Sequence, residues 1–250
     1  MGIAVSDLNS DGLNEFLMTN FLYESNTLFW QSSADFFEDR IREAQLHGPT
    51  MNVLGFGTQF LDADLDGYPE LFVTNGHVDD LRDAGKPYRM PPQLFRWDGV
   101  AFQVDASESR GAYFAGNWLG RAAARVDWNR DGRTDLLIGH LDDDYALLTN
   151  TSPEPGCFIS LKLIGTSSNR DAIGATVRIR CGQRTQFQQL MAGDGYQCCN
   201  ERQLTFGVGP VEQAQFVEVV WPSGRRQQFH DVPTSRAYLL VEGSDLLAVP

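Results

Sequence analysis

The chain has 250 residues, of which 42% are hydrophobic, 21% charged and 11% aromatic, a globular balance that excludes a disordered, collagen-like or coiled-coil protein. Its formal charge is −13 with only 20 Lys and Arg, so a nucleic-acid backbone or an anionic membrane surface is a poor partner and a cation a good one. No apolar run reaches the roughly 18 residues a membrane helix needs, and residues 1–7 hold no basic segment followed by an apolar one, so neither membrane insertion nor a signal peptide is expected in this chain.

Ile3-Ala4-Val5 is a short apolar run that reads as a buried strand. It leads into Asp7-Leu8-Asn9-Ser10-Asp11-Gly12-Leu13-Asn14-Glu15, and Phe16-Leu17-Met18 leads out. The pattern returns 55 residues later, where Phe60-Leu61 precedes Asp62-Ala63-Asp64-Leu65-Asp66-Gly67-Tyr68-Pro69-Glu70 and Leu71-Phe72-Val73 follows. It returns again after a further 65, as Asp127-Trp128-Asn129-Arg130-Asp131-Gly132-Arg133-Thr134-Asp135 before Leu136-Leu137-Ile138. Every copy carries Asp at position 1, Asp or Asn at 3, Asp at 5, Gly at 6 and a carboxylate at 9. Asp, Asn and Gly dominate ordinary turns, so one copy means little. Three copies with shared flanks mean an internal repeat.

The spacing has a chemical reading. Oxygen side chains at alternate positions of a tight loop converge on one point, and the carbonyl of position 7 joins them. The glycine supplies the backbone conformation that so sharp a turn requires. Six to eight oxygens suit a hard cation, Ca2+ better than Mg2+ in a flexible cage, and the lack of His or Cys disfavours zinc and copper. Ten of the 33 acids occupy ligand positions, and without them the formal charge would be −3. Three bound Ca2+ would bring −13 to −7, so the acidity is largely a ligand set. An EF-hand needs a Glu at position 12 and flanking helices, but position 12 is Met18, Val73 or Ile138.

Each copy then supplies a further strand: Thr27-Leu28-Phe29-Trp30, Gln93-Leu94-Phe95-Arg96-Trp97 and Ala146-Leu147-Leu148. Asp98-Gly99 makes a tight turn before Ala101-Phe102-Gln103-Val104. Short strands at a period near 60 predict propeller blades. Three blades in 150 residues are too few to close a ring, so the chain is expected to be the C-terminal piece of a longer protein, or to self-associate through its open edges if complete.

Residues 151–156 read as a Pro-rich linker, separating blades over 1–150 from a C-terminal domain over 157–250. There Phe158–Leu163 and Ala175–Arg180 alternate, Cys181-Gly182-Gln183 reads as a hairpin turn, and Phe216–Trp221 is a strand closed by Pro222-Ser223-Gly224. The prediction is a small antiparallel β-sandwich or barrel. The whole chain is thus expected to be all-β: a partial calcium-binding β-propeller of about three blades, then this domain.

The three loops resemble the FG-GAP/VCBS repeats of calcium-binding β-propellers, the type also seen in integrin alpha subunits. The resemblance implies one cation per blade, up to three Ca2+, held by positions 1, 3, 5, 7 and 9. In this sequence these are Asp7, Asn9, Asp11, the Leu13 carbonyl and Glu15; Asp62, Asp64, Asp66, the Tyr68 carbonyl and Glu70; and Asp127, Asn129, Asp131, the Arg133 carbonyl and Asp135. The first two loops depart from the usual Asp with Glu at position 9, so the third is expected to be the most regular, though Arg130 and Arg133 should lower its affinity. The C-terminal part resembles the ASPIC/UnbV domain through Ser168-Asn169-Arg170-Asp171-Ala172-Ile173-Gly174-Ala175, Phe206-Gly207-Val208-Gly209 and Val220-Trp221-Pro222-Ser223-Gly224. The order of the two parts, with Asn75-Gly76-His77-Val78 and Gly120-Arg121-Ala122-Ala123, resembles the CRTAC1-like family, which implies a secreted, cell-surface or periplasmic setting. Gly195-Tyr196-Gln197-Cys198-Cys199-Asn200 departs from the serine-rich turn of that family.

All four cysteines, Cys157, Cys181, Cys198 and Cys199, lie in the C-terminal part, as buried free thiols or with one bridge from Cys157 or Cys181 to the adjacent pair. His77 and His140 read as structural turn residues, and Asp142-Asp143-Asp144 as a solvated loop. The sequence holds no nucleophile elbow, zinc-protease motif or phosphate loop. The expected function is a non-catalytic, calcium-stabilised extracellular or periplasmic interaction or adhesion module for an unnamed protein or glycan. The alternatives are a calcium-dependent carbohydrate-binding protein and a propeller hydrolase or lyase.

Overall fold

The structure is a computed structural model that describes residues 1–106 and 111–249. Among the described residues the chain is all-β apart from single helical turns. The first three sheets are meanders in sequence order. One contains β1 (Ile3–Ser6), β2 (Glu15–Met18), β3 (Thr27–Ser33) and β4 (Phe36–Asp39). The next contains β5 (Gly55–Leu61), β6 (Glu70–Asn75), β7 (Gln93–Trp97) and β8 (Phe102–Val104). The third has β9 (Gly120–Val126), β10 (Asp135–His140) and β11 (Ala146–Leu148).

In all three, the acidic loop closes the first hairpin. The residue before position 1 pairs with the residue at position 9: Ser6 with Glu15, Leu61 with Glu70, Val126 with Asp135. Strands, not helices, bracket the loops, which removes the EF-hand. The apolar runs flanking the loops explain the packing. Ala4, Leu17 and Leu28 of the first sheet share a core with Phe60, Leu71, Phe95 and Trp97 of the second. Leu61 and Phe72 of the second share another with Ala123, Leu136 and Ile138 of the third. Burying each such side chain contributes about 1.5–3 kcal/mol. β5 and β6 are buried at every position, the polar Thr58, Gln59, Glu70, Thr74 and Asn75 included, so neither shows the alternation of a half-exposed strand. β5 lies so close to β9 that a Cβ on Gly57 would stand 2.7 Å from the Ala123 nitrogen and the Arg121 oxygen.

The C-terminal strands are β12 (Cys157–Ile164), β13 (Thr176–Cys181), β14 (Arg184–Gln189), β15 (Leu204–Gly209), β16 (Gln213–Val220), β17 (Arg226–Pro233), β18 (Arg236–Val241) and β19 (Leu246–Val249). They form two further sheets, ordered β15-β12-β18-β19 and β14-β13-β16-β17. β12 and β18 run parallel; the other pairs are antiparallel. Val177, Ile179 and Cys181 face inward while Arg178 and Arg180 face out, the alternation of a sheet with one covered face. One core containing Ile159, Leu161, Phe206, Val217, Val219 and Trp221 lies between the two sheets.

The five sheets together make a five-bladed β-propeller arrangement, more blades than the about three expected. The last two sheets share one core between them, the packing expected of a sandwich. The premise that only three blades are present falls with the five-bladed arrangement. The C-terminal part is also keyed into the first three sheets. Gly195 exchanges backbone hydrogen bonds with Ile3, at 3.1 and 2.5 Å. The Cys198 thiol donates to the Ala123 carbonyl at 3.1 Å. Asn200 accepts from the Arg125 N–H at 2.8 Å and donates to Gln59 at 3.1 Å. The segment from Gly195 to Asn200 therefore ties β1, β5 and β9 to the C-terminal sheets.

Candidate metal centre

The three loops fold alike to the level of single hydrogen bonds. The position-1 aspartate accepts the N–H of the position-6 glycine: Gly12 to Asp7 at 2.9 Å, Gly67 to Asp62 at 2.8 Å, Gly132 to Asp127 at 3.0 Å. The position-5 aspartate accepts the N–H of position 7, at 2.8, 2.7 and 2.9 Å in chain order. The position-9 carboxylate reaches back to the N–H of position 2: Leu8 to Glu15, Ala63 to Glu70, Trp128 to Asp135. The glycines take φ of +87°, +89° and +83°, as their place in the pattern predicts. Position 4 is left-handed as well, with φ near +60° at Ser10, Leu65 and Arg130, and sequence reasoning missed it because those three side chains have nothing in common.

The carboxylates at position 9 are buried: Glu15 and Asp135 are 0% exposed and Glu70 4%. Burial and the neighbouring Asp64, Asp62 and Asp66 push Glu70 up to about 8. Burial, Asp66 and Asp64 push Asp62 up to about 7. Burial, Asp7 and Asp11 do the same to Glu15, also about 7. Buried like charges of this kind need either protons or a cation.

The loops then diverge. In the second, ligand oxygens of Asp62, Asp64 and Glu70 all lie within 4.8 Å of one another. Oxygens sharing one calcium at about 2.3–2.6 Å lie no more than about 5 Å apart, so this set fits. The Asp62 Oδ1 is buried and has no hydrogen-bond partner. In the first loop the Glu15 Oε1 is likewise buried without a partner. In the first and third loops, however, the position-3 asparagine donates to the position-5 aspartate, Asn9 to Asp11 at 2.8 Å and Asn129 to Asp131 at 2.9 Å. Asp64 has no proton to donate and pairs with Arg96 at 3.3 Å instead, so no side-chain amide closes the second loop. The third loop is the most self-satisfied. Asp135 accepts the N–H groups of both Trp128 and Asn150. Arg133 pairs with Asp131; burial raises that carboxyl, but the Arg133 side chain, the Arg133 N–H and Asn129 together hold it below its usual range. Arg130 pairs with Glu201 at 2.6 Å. A converging set of three carboxylates lies in the second loop, one of the two with the longer Glu.

The other residues singled out are structural in their contacts. His77 is 1% exposed, and its Nδ1 accepts the Asp79 N–H. His140 sits between the Tyr113 hydroxyl at 2.9 Å and the Asp144 carbonyl at 2.7 Å. Asp142 and Asp143 clamp Arg89 rather than lying free. All four cysteines are free thiols. Ser168 and Ser223, from two of the C-terminal motifs, meet at one buried carboxylate that the sequence did not single out. Glu242 accepts from the N–H groups of Thr166, Ser167 and Ser168 and from both serine hydroxyls. These five bonds outweigh burial and hold its carboxyl at about 2.

Residues 165–246 match the model of the family described as ASPIC and UnbV. No curated protein matches the chain.

Proposed function

We propose that this chain is a non-catalytic calcium-binding module of the FG-GAP/VCBS type joined to its ASPIC/UnbV portion, as in the CRTAC1-like family, in which ions held by the loops fix the blade hairpins. The observation that carries the reading is the second loop, where four carboxylates are gathered in one turn, three of them converge, and a buried Asp62 oxygen lacks any hydrogen-bond donor. Only a cation relieves such a set without protonating it. The first loop offers the same frame with one carboxylate fewer, and the third a frame already offset by arginine. A calcium-dependent fold fits a protein of the cell exterior or periplasm, where millimolar calcium saturates even weak loops. Its role there is adhesion or interaction with a protein or glycan. The test is calorimetric titration of the chelated protein with Ca2+ and with Mg2+. Heat of calcium binding that disappears in Asp62→Asn/Glu70→Gln supports the reading, and a protein that takes up neither ion overturns it.

A further inference from the structure

The second loop is walled in by the C-terminal sheets. The Leu65 carbonyl accepts the Gly209 N–H at 2.8 Å, and the Asp64 carbonyl accepts the Gly156 N–H at 2.8 Å. A Cβ on Gly207 would stand 2.0 Å from the Asp62 Oδ2 and 2.5 Å from the Leu65 Cα, so β15 has room against the loop only because that side chain is missing. Arg184, the first residue of β14, lays its guanidinium over the Tyr68 ring at 3.7 Å and donates from Nε to the Ser10 hydroxyl of the first loop at 3.4 Å. Its Nη1 is buried without a hydrogen-bond partner, and its charge acts on both Asp62 and Asp66. A fixed, desolvated cation beside these carboxylates does in part what a bound ion would do.

We infer, on the reading of the loops as calcium sites, that the second site is shared with the C-terminal sheets: Arg184 is a resident counter-charge that sets its affinity, and Gly207 is the gap that lets Asp62 keep its place. An entering divalent ion meets the repulsion of the guanidinium, which at a few ångströms is substantial even at the screening of a half-buried site. Removing the charge therefore tightens ion binding while it weakens the ion-free protein, because Asp62 and Asp66 lose a compensating charge and Arg96, paired with Asp64 at 3.3 Å, is left to offset the loop. The arrangement keeps the loop folded without calcium, at the expense of affinity for it.

The experiment is calcium titration by calorimetry on the full chain in three variants, with the thermal midpoint of each measured in chelator. Arg184→Gln is expected to bind calcium about tenfold more tightly at the second loop and to melt earlier in chelator. Arg184→Lys, which keeps the charge and loses the planar stack, is expected to return to the wild-type affinity. A purely packing role would instead group it with Arg184→Gln. Gly207→Ala is expected to bind at least tenfold more weakly. If the wild type binds calcium and both Arg184 variants match it, the inference falls and the reading of the loops stands. If the wild type binds no calcium, both fall.

Discussion

Glu15, Asp62 and Glu70 set the pH behaviour of the ion-free protein. Their carboxyls are raised to about 7, 7 and 8, whereas in an unfolded chain they ionise near 4. A folded state that holds protons the unfolded state has released is favoured at low pH, and the advantage is lost as pH climbs from about 4 through about 8. In chelator, the thermal midpoint is therefore expected to fall between about pH 6 and pH 8.5, and saturating calcium is expected to flatten that slope. Equal slopes with and without calcium would mean the carboxyls are not the ligands. Glu242 works with the opposite sign: its carboxyl is held at about 2, so its contribution is present at neutral pH and is lost as pH falls from about 4.5 toward 2. Glu242→Ala strands five donors and is expected to lower unfolding free energy by about 3 kcal/mol in denaturant titration at neutral pH. The three loops and their shared hydrogen-bond frame were legible in the sequence because Asp, Asn and Gly repeat at fixed spacing. Glu242 was not, because its partners lie 19 residues upstream at Ser223 and 74–76 upstream at Thr166, Ser167 and Ser168, and nothing local marks it as a hub.

At the scale of the element, the loop and its two strands form one unit: position 9 is both a ligand candidate and the first paired residue of the outgoing strand. That double role explains why the apolar runs beside the loops located β1, β2, β6 and β10, and the C-terminal end of β5. It also explains why the ranking of the loops could not be read beforehand. The choice of Asn or Asp at position 3 decides whether the loop closes on itself, and Arg133 turns out to bind Asp131 rather than merely flank it. Arg133→Gln is accordingly expected to tighten ion binding at the third loop several-fold, read as a change in the weakest step of a calcium titration. No change there would show that the pairing with Asp131 does not compete. In the segment that follows β14, Asn200→Ala removes bonds to Arg125, Gln59 and Asp194 together. It is expected to destabilise the protein by about 2 kcal/mol in denaturant titration, and a loss below about 0.5 kcal/mol would remove that segment from the account of how the sheets are tied.

For the molecule as a whole, what the sequence conveyed was class and what it withheld was assembly. All-β character, hairpin turns at Asp98-Gly99 and Gly182-Gln183, and the strand read at Phe216–Trp221, which the structure places at Gln213–Val220, follow from local alternation and turn chemistry. The meeting of Arg184 with Tyr68, or of Gly207 with Asp62, joins residues more than a hundred positions apart and leaves no local trace. The five-bladed arrangement and the seating of the loops against the C-terminal sheets belong to this unread part. On the proposed reading of the loops as calcium sites, chelation is expected to lower one cooperative thermal transition by several degrees rather than to loosen isolated hairpins. The most direct measurement of the central claim is anomalous diffraction from a crystal grown with calcium. An ion about 2.3–2.6 Å from oxygens of Asp62, Asp64 and Glu70 is the predicted result. Those carboxylates turned away from one another in a calcium-containing crystal, with no ion between them, would contradict it.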